Sequence, residues 1–269
     1  MEWAADLLSA EFAGGTLWLL LAAALLAGFV DAIAGGGGLI ALPALLLAGL
    51  SPAAALGTNK LQGLFGSGMA ALSYARGGQF RWRDVVWLAL ASGAGSVVGA
   101  LTVRLLPVDL LRALMPLTLV AIALYFALKP GLDDLDRTRR IGAGAFGLTA
   151  APLIGWYDGV FGPGAGSFYM LAFVSLAGMG VLRATAHTKL LNFASNVGAF
   201  GVFALAGTVH WRLGLVMGAM QLVGAWAGAR LAMRAGVRLI KPLLVTVCIA
   251  LALRLLADPA NPVRAWLGA

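Results

Sequence analysis

Charge is the scarcest commodity in this chain. Only 11% of its 269 residues are Asp, Glu, Lys or Arg, where soluble domains carry about 25%. A water-soluble fold with so little charge could not cover its surface. Cysteine is nearly absent: Cys248 stands alone, which excludes an internal disulfide and a thiolate metal cluster. The two histidines, His187 and His210, have no HExxH spacing. Neither GxxxxGK[ST] nor GxSxG occurs, so nucleotide hydrolysis and serine-hydrolase chemistry have no motif to rest on. No basic run is interleaved with aromatics as in a nucleic-acid groove. No catalytic residue, metal or cofactor is expected, and no nucleic-acid partner.

What the chain has is apolar length. It is 61% hydrophobic, with a mean hydropathy of +0.92. An all-α, polytopic integral membrane protein follows, with the lipid bilayer as its main surroundings. The net charge of +8 reads as an orientation signal, because basic loops stay on the cytoplasmic side. The acidic start (Glu2, Asp6, Glu11) lacks the basic region of a cleaved signal.

One stretch organises the rest: GFVDAIAGGGGLIALPALLLAGLSPAAALGTNKLQG, residues 28–63. It sets Asp31, four successive glycines from Gly35 to Gly38, a short apolar piece, and Lys60 inside apolar surroundings. The order returns in GWYDGVFGPGAGSFYMLAFVSLAGMGVLRATAHTKLLNFASN, residues 155–196. Asp158, Gly162 and Gly164 follow Asp31, Gly35 and Gly37 by 127 positions, and Lys189 follows Lys60 by 129. An acid, a glycine break and a lysine, twice in order, is an internal repeat. The expected division is a first repeat over 1–128, a polar connection over 129–140 (KPGLDDLDRTRR) and a second repeat over 141–269.

Long spans are expected at 16–34, 53–75, 85–105, 110–128, 141–161, 184–206, 212–230 and 239–256. Two short segments, 38–50 and 165–180, are expected as broken helices. At about 1.5 Å per residue, the 13 residues of 38–50 fall short of a bilayer core of about 30 Å. If the short segments count as crossings, each half crosses five times and the halves are inverted. Twelve basic loop residues then lie inside and five outside. If they only dip and return, the better split is ten to seven. The first arrangement is favoured.

The same motifs, with GTNKLQ paired with TKLLNFASN, resemble the TauE/SafE family of membrane permeases over nearly the whole chain. The resemblance implies a secondary transporter for sulfite, sulfonates, sulfoacetate or related organic anions. Two positions depart from the pattern: His187 stands where a small hydroxyl residue is more usual, and Gly162-Pro163-Gly164-Ala165-Gly166 is less uniform than the first break.

Read for chemistry, Lys60 and Lys189 are candidate substrate ligands. An intramembrane lysine costs about 2.5–3.5 kcal/mol at a helix centre, so it needs either a route to the headgroups or a partner. The breaks, at Gly35, Gly36, Gly37, Gly162 and Gly164, are candidate anion nests, with close helix packing as the plainer reading. Asn59, Gln62, Thr188, Asn192 and Asn196 join them as polar neighbours. Asp31, Asp158 and His187 are candidates for proton coupling; each aspartate is also a candidate partner for a lysine or a helix cap. The expected function is a permease of the cytoplasmic membrane moving a small anion. An anion channel, or a membrane subunit of a larger complex, is the alternative, and homo-oligomerisation is left open. A reporter fused within 230–241 separates the two topologies: a cytoplasmic signal is expected from ten crossings, an external one from the dipping arrangement.

Overall fold

The computed structural model describes residues 15–102, 117, 120–128 and 133–257. Among these, every regular element is a helix. The first half holds α1 (Gly15–Ala34), α2 (Gly37–Leu47), α3 (Pro52–Arg76) and α4 (Trp82–Thr102); 120–128 is also helical. The second holds α5 (Ala143–Leu148), α6 (Ala150–Val160), α7 (Ala165–Ser175), α8 (Val181–Leu205), α9 (Trp211–Ala235) and α10 (Val237–Ala257). Most of the expected span 110–128 lies outside the described residues.

Among the described residues, three helices are long and apolar enough to cross a membrane: α1, α4 and α9. The 25-residue α3 and α8 are equally long but carry the polar residues of the motifs. Helices α2 and α7 have 11 residues each, or about 16 Å. The expected span 141–161 is broken instead of continuous. Pro152 has no N–H and crowds the Leu148 carbonyl, where α5 ends. Thr149 Oγ1 donates to the Ala145 carbonyl at 2.6 Å, which bends the chain further.

The loops sort to two faces. Arg81, Arg139 and Arg183 surround one cavity. Nearby, Asp134 accepts from the Leu182 N–H at 3.0 Å and the Val237 N–H at 3.2 Å, joining the starts of α8 and α10. This is the basic face. At the other face, Leu17 and Leu20 of α1, Leu45 of α2, Ala55 of α3 and Leu213 of α9 share one apolar cluster. So α1, α3 and α9 start at this second face, and α2 brings the chain back to it. The α6–α7 pair opens the opposite way: the Leu176 carbonyl after α7 accepts from the Arg140 N–H at 2.9 Å, at the basic face. With 133–142, Arg183 and Val237 on one face, the dipping arrangement does not describe this chain.

Helices α3 and α8 run antiparallel through the centre, with Gly57 against Phe203 and Gly68 against Phe193. Each is flanked by helices of the other half. Glycines make these approaches close: a methyl at Gly155 of α6 would overlap the Ser92 carbonyl of α4, and one at Gly28 of α1 would overlap the Gln221 carbonyl of α9. Overpacking against backbone costs about 1–3 kcal/mol or more. Gly155→Ala is expected to lower the melting temperature in detergent by roughly 4–8 °C. Gly144→Ala, where nothing lies within 4 Å, is expected to stay within about 2 °C of the parent.

Candidate functional site

The two helix breaks meet at the centre. Gly35 adopts φ +79° and Gly162 φ +86°, a region that favours glycine. Space adds to the requirement. A side chain at Gly35 would run into the backbone of Gly166, and one at Gly162 would start 3.2 Å from Lys60 Nζ. Ser167 Oγ donates to the Gly35 carbonyl at 3.2 Å, tying the second break to the first.

Both lysines are fully buried, and each finds the aspartate of the other half. Lys60 Nζ lies 2.9 Å from Asp158 Oδ1. Lys189 Nζ lies 3.4 Å from Asp31 Oδ2. Snorkelling to headgroups is therefore not how either charge is accommodated. The carboxylates also hold backbone and hydroxyl groups. Asp31 Oδ1 accepts from the N–H of Gly37, the first residue of α2, at 3.2 Å. Asp158 Oδ2 accepts from Ser195 Oγ on the lysine helix α8. On its other side α8 is fastened by Ser92 Oγ to the Leu191 carbonyl at 2.9 Å and by Ser96 Oγ to the Ser195 carbonyl at 2.7 Å.

These groups enclose a cavity of about 30 Å³, room for one or two waters. Asp31, Asp158, Lys60, Asn59, Asn192 and Asn196 line it, with Gly35, Gly36, Gly37, Gly162 and Gly164. The N-terminal ends of α2 and α7 border it through these glycines and Gly166, placing two positive helix ends at one hollow. Lysine charge, helix ends and amide groups together suit a small anion.

Not every expected residue is here. Lys189 is buried behind the cavity wall, reached through Asp31. Gln62 is one step back, donating Nε2 to Asn59 Oδ1 at 3.1 Å. Thr188 is buried away from the cavity, its hydroxyl without a partner. His187 stands outside the centre. Its Nδ1 is 2.8 Å from the Arg183 carbonyl, and its ring is 5.6 Å from that of Phe80 and 5.5 Å from that of Phe173.

Gln221 of α9 was not singled out from the sequence, yet it lines the cavity with a buried Oε1 that has no partner. A glutamine inside the apolar run 212–230 was the available signal, since a polar group there needs a partner or a ligand.

The fold and this centre define a membrane transporter. Residues 20–255 match the family described as sulfite exporter TauE/SafE, and the chain belongs to that family. A probable membrane transporter protein of Sinorhizobium sp, ORF9, is 60% identical over 252 residues, covering 94% of this chain and 97% of the relative. The probable membrane transporter protein YfcA of Escherichia coli K12 is 45% identical over 253 residues, covering 94% of each. The similarly described YunE of Bacillus subtilis is 25% identical over 238 residues, covering 79% of this chain and 86% of the relative. No solved structure matches.

Removing one member of a buried ion pair strands the other, at a cost of about 3–5 kcal/mol. Asp158→Asn is therefore expected to lower thermal stability markedly. The double variant Asp158→Asn/Lys60→Met is expected to recover most of it while substrate binding stays lost. Thermal unfolding and ligand titration of the same samples check both halves of that expectation.

Proposed function

We propose that this protein is a secondary transporter of the cytoplasmic membrane that carries a small anion, of the sulfite or sulfonate class, through the central cavity. The observation that carries the reading is the crossed pairing of Lys60 with Asp158 and Lys189 with Asp31. Each pair neutralises a buried lysine only while its carboxylate is charged. Protonation of Asp158 releases the Lys60 ammonium to an incoming oxyanion at the mouths of α2 and α7. Protonation of Asp31 does the same one layer back, at Lys189. Anion and proton are thereby bound together, which makes the aspartates coupling groups and leaves His187 outside that step.

The two halves are read as inverted repeats, 1–128 and 141–269. Supporting this are the antiparallel α3 and α8, the opposite openings of the α1–α2 and α6–α7 pairs, and aspartates and glycines in constant register, with the lysines two positions further on in the second half. Exchange of the two halves' conformations would open the cavity first to one face, then to the other. The basic face is read as cytoplasmic. A central cavity of only about 30 Å³ favours alternating access over a continuous pore.

Purified protein in proteoliposomes tests this. Saturable uptake of sulfite or a simple alkyl sulfonate is expected, driven by an imposed pH gradient and abolished by Lys60→Ala. Uptake indifferent to the pH gradient would remove the coupling, and non-saturating flux would instead indicate a channel.

A further inference from the structure

We infer a second anion-binding site, on the basic face, for an organic anion with a flat apolar body; an aromatic carboxylate is the simplest such ligand. The inference is independent of the transport reading. Its cavity, about 320 Å³, lies between the start of α4, the 133–142 loop and the start of α8. It is within the size range of small-molecule pockets, about 300–1,000 Å³. No residue lines both this cavity and the central one.

The floor is aromatic. Phe146 and Phe173 stack with centroids 4.6 Å apart and ring planes 18° from parallel. Phe80 completes it, with the His187 ring set between Phe80 and Phe173. His187 contributes a ring face here, not a charge. With Nδ1–H donated to the Arg183 carbonyl, its other nitrogen is an acceptor and has nothing to give an anion.

The rim is basic. Arg81, Arg139 and Arg183 border the cavity, opposed by one carboxylate, Asp84. Arg183 is already engaged by Asp136. Among the described residues, neither Arg81 nor Arg139 has an ion-pair partner. Two uncommitted guanidinium groups over a stacked aromatic floor pose two demands at once. An inorganic oxyanion answers only the arginines, and a neutral ring answers only the floor. A planar carboxylate on a ring satisfies both, because the guanidinium fork matches its two oxygens and the ring buries against the phenylalanines.

Calorimetric titration of the purified wild-type protein with benzoate, acetate and benzamide tests the site. Benzoate is expected to bind at least tenfold more tightly than either of the others. Arg81→Gln/Arg139→Gln, which changes two exposed side chains, is expected to weaken benzoate at least tenfold with no loss of thermal stability. Gln221→Met, at the central cavity, is expected to leave benzoate binding unchanged. Equal affinity for benzoate and benzamide in the wild type would overturn the inference. So would benzoate binding that survives the double arginine change, or binding that is lost in Gln221→Met.

Discussion

Two lysine–aspartate pairs, crossed between the halves of the chain, set the terms for everything around them. An ammonium buried in a membrane protein is tolerable only with a partner close by, and each partner here comes from a helix of the opposite half. Lys60 on α3 requires Asp158 at the end of α6; Lys189 on α8 requires Asp31 at the end of α1. The requirement fixes where α1 and α6 stop. It brings their glycine breaks to the centre, because each aspartate lies four residues before its break. Asp31 then starts α2 by accepting from Gly37, and Asp158 grips α8 through Ser195. The ion pairs are thus weak evidence of stability in themselves but strong evidence of a specified arrangement.

The glycines serve that arrangement in two distinct ways. At Gly35 and Gly162 the backbone turns through a left-handed conformation, against the Gly166 backbone at Gly35 and 3.2 Å from the Lys60 ammonium at Gly162. At Gly28 and Gly155 the backbone is ordinary helix, and absence of a side chain lets α1 reach α9 and α6 reach α4. The first kind builds the hollow and the second holds its walls. Both kinds recur in the two halves with the 127-residue spacing of the aspartates, so the centre is framed alike from either side.

Much of this was legible from residues alone. Apolar length and flanking charge are strong local signals, and α1, α3, α4, α8 and α10 stand within about three residues of the expected ends, while α9 runs five residues past its expected end, to Ala235. The short segments and the breaks were visible as runs too brief to span, next to Gly35–Gly38 and Gly162–Gly166. The proximity of aspartates to lysines was open as one reading among several, but which carboxylate met which lysine was not. Pairing across 98 residues for Lys60–Asp158 and 158 for Lys189–Asp31 depends on tertiary packing, which no local pattern encodes. For the same reason Lys189 was expected at the cavity but sits behind Asp31, and His187 was grouped with its sequence neighbours although the helix turns it toward Phe80 and Phe173. Gln221 went unnoticed because the residues it packs against, Gly28 and Gly66, are distant in sequence. The break at Thr149 was missed because Pro152 was absorbed into an apolar run.

An anion that takes the lysines over from the carboxylates must leave a proton on each carboxylate it displaces. Infrared difference spectroscopy of the purified protein, with and without ethanesulfonate, reads this directly, since that ligand does not itself titrate near neutral pH. Ligand binding is expected to convert an ionised carboxylate into a protonated carboxyl, with the new band absent from Asp158→Asn. Saturable binding with every carboxylate band unchanged would contradict it.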